Sequence, residues 1–155
     1  MAGPGKASSF QPHDYRLAAA ERLETVASLL ARGEHAIALY WAGVAAECAI
    51  RSRIDAGASF SGRHDLLELA LPTDFLPRAS AANENIVASI QMLHRVWRNS
   101  FRYMHTEKIA RVLEESGFEP QVCKSARIKR AAEAAEVAAA QLYSRALNLS
   151  VARPR

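Results

Sequence analysis

A chain of 155 residues, half of them hydrophobic, is long enough for one domain that buries roughly two thirds of its unfolded surface. Two cysteines, Cys48 and Cys123, fit neither a disulfide framework nor a cysteine metal cluster, and the N-terminus shows no secretory or membrane signal, so a reduced cytoplasm is the expected setting. The formal net charge of +4 is a C-terminal excess: residues 124–155 carry seven Lys or Arg against two Glu. That bias permits an acidic partner or nucleic acid, although a solvated basic helix end is the commoner meaning.

Residues 1–13 are rich in Gly, Pro and Ser and read as an arm. From Asp14 to Ala31, Ala19, Leu23, Val26 and Leu30 recur at helical spacing, with Asp14 as a candidate cap. Gly33 is the only break before Glu34–Ala56, a stretch apolar on nearly every side but interrupted by Glu47 and closed by Arg51, Arg53 and Asp55. It lacks the roughly 18 unbroken apolar residues of a bilayer span and reads as the central helix of a soluble bundle. The short connection makes it an antiparallel neighbour of the first helix. Glu47 and Arg51, four apart, are expected to form a partly buried pair.

Gly57, Ser59, Ser61 and Gly62 form a breaker cluster, and the HDLLELAL that follows supplies a turn or two of helix ending before Pro72. A loop past Pro77 precedes a long helix predicted over Ala81–His105, with Ile86, Ile90, Leu93, Trp97, Phe101 and Met104 on one stripe. Lys108–Ser116 makes a short helix ended by Gly117 and Pro120. An alanine-rich helix runs from about Ser125 to Leu149. No convincing stretch alternates with the period of a strand. The expectation is an all-α, up-and-down bundle of four principal helices plus one or two short ones: a single domain over 14–149, with 150–155 as a tail.

The segment WRNSFRYMH, Trp97–His105, concentrates the residues suited to chemistry. On a continuous helix, His94, Arg98, Arg102 and His105 would line one side, with Arg95, Asn99 and Tyr103 nearby. Guanidiniums hold phosphate, and an imidazole beside them can move a proton to or from a ribose hydroxyl or a leaving oxygen. Arginines on the wet face of a surface helix are the plainer reading of the same spacing. No compact set of Asp, Glu and His has metal-ligand spacing, and His64-Asp65 alone is more often a helix-start pair, so neither metal nor cofactor is expected.

The segment LLARGEHAIALYWAGVAAECAIRSRI, Leu29–Ile54, resembles the helical hairpin of the HEPN superfamily, small helical domains named for higher eukaryotes and prokaryotes. His64-Asp65-Leu66 is similar to the short element after that hairpin, and Arg102-Tyr103 to a pair at the end of the next long helix. The likeness covers most of residues 15–149. It implies a homodimer, which the apolar and alanine-rich helix surfaces also suggest. Ribonuclease members carry an arginine followed by a polar residue, with a histidine about five positions on. Arg98-Asn99 matches the first half, but Tyr103 stands in the usual histidine position, and His105 lies seven beyond Arg98.

Two classes stay open. One is a metal-independent RNA endonuclease of a toxin or defence system, with His105 as acid or base, Arg98 and Arg102 on the scissile phosphate, and Asn99, His94, Tyr103 and Arg95 holding substrate. The other is an accessory domain that binds RNA, a nucleotide or a protein such as a nucleotidyltransferase or an antitoxin, and cleaves nothing. No membrane is implied by either.

Overall fold

The computed structural model describes residues 10–54, 64–76 and 81–151, without the side chains of 81–83, 150 and 151. The breaker cluster at Gly57–Gly62 and the loop at Pro77 lie outside the described residues. Six helices and a 3-10 turn account for the regular structure, and the described residues contain no strand.

Helix α1, Pro12–Ala31, starts two residues before the expected boundary, because Pro12 at its first position has no N–H to leave unpaired. Asp14 acts from inside the first turn instead of preceding it: its carboxylate reaches back to accept from the Gln11 N–H at 2.8 Å. At the other end Gly33 takes φ +75°, its N–H donates to the Leu30 carbonyl and the Glu34 N–H to that of Leu29, which closes the helix and turns the chain. Helix α2, His35–Arg51, follows at once.

α2 is the centre of the molecule. Ala38, Leu39, Ala42, Ala45, Ala46, Ala49 and Ile50 are fully buried, and the small size of the alanines among them lets both α1 and the last helix pack closely along it. Helix α3, Leu66–Ala70, is capped by the Asp65 carboxylate, which accepts from the N–H groups of Leu67 and Glu68. Arg53, just beyond α2, holds Asp74 with two bonds of 3.0 and 2.6 Å, which fixes the segment after α3 against the end of α2.

Helix α4 spans Ala81–Val96, nine residues short of the predicted end at His105. A 3-10 turn, Asn99–Tyr103, and helix α5, Thr106–Glu115, replace the missing part. The apolar stripe through Trp97 and Phe101 is real, since both are buried, but α4 does not carry it: Arg98 is extended, with φ −140° and ψ 137°. Two side chains explain the break. Trp97 donates its indole N–H to the Tyr40 carbonyl of α2 at 3.1 Å, and the Arg98 guanidinium bonds the His94 carbonyl that its own N–H would take in a continuing helix. His94, Arg98, Arg102 and His105 therefore do not share one side of a helix.

Helix α6, Lys124–Val151, packs on α2, α4, α1 and α5. Arg127 makes most of the side-chain bonds that hold the connection to it from α5. Arg127, 3% exposed, donates to the carbonyls of Ala110, Glu119, Pro120 and Val122 and to the Glu114 carboxylate, which uses all five of its N–H groups. Among the described residues no helix is long and apolar enough to cross a membrane.

Candidate functional site

The segment from His94 to His105 is where the chain leaves α4, makes the 3-10 turn and enters α5. Buried Trp97 and Phe101 pin it from below, so the intervening polar residues are displayed on a fixed support. The seven predicted site residues sort by what holds them.

Three are engaged with the scaffold. Arg95 donates to the carbonyls of Ser116 and Gly117, at 3.3 and 2.8 Å, and ties the end of α4 to the end of α5. Arg98 Nη1 caps α4 by bonding the carbonyls of His94 and Trp97. His94, largely exposed, has its Nδ1 3.8 Å from the Asp65 carboxylate at the start of α3. Asn99 opens the turn, half-buried.

The remaining three face solvent. Tyr103 is 78% exposed, an unusual setting for a large aromatic ring, and the Arg102 guanidinium lies 4.6 Å from its centroid. Arg102 thus stacks on Tyr103 and leaves the other ring face open. His105 is exposed two residues on, at the extended residue before α5, where its backbone carbonyl accepts from Lys108 and Ile109. The structure brings Arg102, Tyr103 and His105 into one short segment and assigns Arg95 and Arg98 to helix ends.

A second polar group lies on α2. The expected Glu47–Arg51 pair is present and more buried than its spacing required: Arg51 Nε donates to Glu47 Oε1 at 2.7 Å, with Arg51 only 4% exposed. The other carboxylate oxygen accepts from His64 Nδ1 at 2.9 Å, a link across the breaker cluster that spacing could not supply. Asp65 caps α3, in keeping with a helix-start reading of His64-Asp65. Burial pushes the Cys48 thiol and the Tyr15 phenol, both beside this group, above their ordinary values. Cys123, exposed before α6, is moved the other way, chiefly by the Ala126 N–H directed at its sulfur. Among the described residues no three His, Cys, Asp or Glu are grouped to hold a metal ion.

No protein-family model, curated protein or solved structure matches the chain.

Proposed function

We propose that the chain is a HEPN-like domain that binds single-stranded RNA through the turn at residues 99–105 as an accessory, non-cleaving module. The observation that carries this reading is the open face of Tyr103 beneath a stacked Arg102. Bases stack on aromatic faces without regard to sequence, while a neighbouring guanidinium meets the phosphate. A duplex hides its base faces and gives such a platform nothing to stack on. The C-terminal positive excess adds general attraction for a polyanion. Arg98 supports binding over cleavage, because the guanidinium nearest the resembled ribonuclease pattern is occupied at the end of α4.

Metal-independent cleavage is the second reading, and the exposed imidazole of His105 beside Arg102 favours it. One experiment separates the two: fluorescence anisotropy of a labelled single-stranded RNA, followed by electrophoresis of the same samples in EDTA. Intact RNA is expected throughout. Tyr103→Ala should weaken binding about tenfold or more, since one base stack contributes about 1–3 kcal/mol. Arg102→Ala should also lower the salt dependence by about one phosphate contact. Binding indifferent to both substitutions would overturn the proposal. Cleavage lost in His105→Ala would establish the enzymatic reading in its place.

A further inference from the structure

The polar group on α2 ends in an imidazole whose tautomer is fixed from below. Arg51 Nε donates to one oxygen of the Glu47 carboxylate at 2.7 Å, and His64 Nδ1 lies 2.9 Å from the other. A carboxylate only accepts, so Nδ1 carries the ring proton and the neutral imidazole presents Nε2 as a bare acceptor. Glu47 and Arg51 are buried, with side chains 11% and 4% exposed, whereas the His64 side chain is 39% exposed. Among the described residues nothing bonds its Nε2.

Asp65 connects this imidazole to the turn at residues 99–105. Its Oδ1 caps α3 through the N–H groups of Leu67 and Glu68, and its Oδ2 lies 3.8 Å from Nδ1 of His94, where α4 runs into the turn. From His94 to Tyr103 the chain makes one helical turn, two extended steps and the 3-10 turn, a path of at most about 20 Å. A strand of a few nucleotides covers that length. Resting on the reading of the turn as an RNA platform, we propose that His64 Nε2 accepts the 2′-hydroxyl of a nucleotide flanking the one stacked on Tyr103, so that the site selects ribose over deoxyribose. Glu47 and Arg51 are positioning residues that hold the acceptor outward.

The chemistry of the spot chooses a neutral donor. A phosphate oxygen is itself an acceptor and finds no proton at Nε2, and the Asp65 carboxylate next along the chain opposes an anion while the charges of Glu47 and Arg51 cancel. An O–H donor meets neither obstacle. Every ribonucleotide carries one at the 2′ position, so contact with it suits stacking that ignores base identity, and it is the group by which a protein tells RNA from DNA.

The test is fluorescence anisotropy of the full chain with a short labelled oligouridine and with its 2′-fluoro counterpart, which keeps the size and shape of the sugar and removes only the O–H donor. The wild type should bind the hydroxyl strand about threefold to tenfold more tightly, the value of one hydrogen bond. His64→Ala, checked for unchanged helical circular dichroism, should bind the two strands equally. Equal binding of both strands by the wild type would overturn the proposal while leaving the Tyr103 platform in place, and this comparison needs no variant to fold. A preference that survives His64→Ala would overturn it as well, by placing the reader of the hydroxyl elsewhere. Failure of either strand to bind would remove the platform reading and this one with it.

Discussion

The indole of Trp97 lies where a side chain at position 43 of α2 would otherwise be. A Cβ added to Gly43 would meet three indole atoms at 2.1–2.2 Å, so the missing side chain is the seat on which the end of α4 rests. Two effects oppose each other in Gly43→Ala. Helix propensity favours alanine by about 1 kcal/mol, and overpacking a filled site costs about 1–3 kcal/mol, with so deep an overlap at the upper end. A net loss of about 1–2 kcal/mol is expected, together with a weaker near-ultraviolet signal from the displaced indole. Thermal unfolding of the variant at or above the wild-type temperature would contradict the packing described. Glycine at position 43 reads as one small residue among several in the alanine-rich sequence, and its partner lies more than fifty residues away. The seat was therefore not legible, although the small-residue character of the helix was.

Helix ends were legible where a local rule decides them and illegible where a distant contact does. Gly33 and Gly117, each with positive φ, mark the ends of α1 and α5, and both stops were read from the sequence. The end of α4 carries no such sign: through Trp97, Phe101 and Met104 the apolar period continues as if the helix did. What ends it is the bond from Trp97 to α2 and the Arg98 guanidinium on the carbonyls of His94 and Trp97. Periodicity records which residues are buried, and a buried stripe survives a break when the chain resumes in a 3-10 turn on the same support. The bonds of Arg95 and Arg98 to backbone carbonyls at helix ends were not legible for the same reason, since a guanidinium that caps a helix end and one that waits for phosphate look alike in sequence. Arg98→Ala decides between those roles. As a cap, Arg98 should contribute about 1 kcal/mol to stability, seen as a lower urea midpoint, while RNA affinity changes less than in Arg102→Ala. An unchanged midpoint with a large loss of binding would return Arg98 to the ligand.

At the scale of the whole molecule, α2 was recognisable as the centre because a helix apolar on nearly all sides needs neighbours on nearly all sides. Two side chains beside its C-terminal polar group, Cys48 and Tyr15, make stability depend on pH in the alkaline range. The Cys48 thiol and the Tyr15 phenol titrate above their ordinary values of 9.0 and 10.0, in both cases chiefly because burial disfavours the charged form. The folded chain then keeps protons that the unfolded chain releases. Above the ordinary thiol value the folded state binds more protons, and the free energy of unfolding must fall as pH rises. The contribution is intact below pH 9.0 and is lost progressively as pH rises from there through the raised folded value. Urea unfolding measured as a series of increasing pH should show the midpoint declining across that range. In Cys48→Ala the thiol part of the decline disappears, so the two curves should differ in slope above pH 9.0 and run parallel below it. Identical slopes in the alkaline range would show that the thiol is no harder to ionise in the folded chain than in the unfolded one.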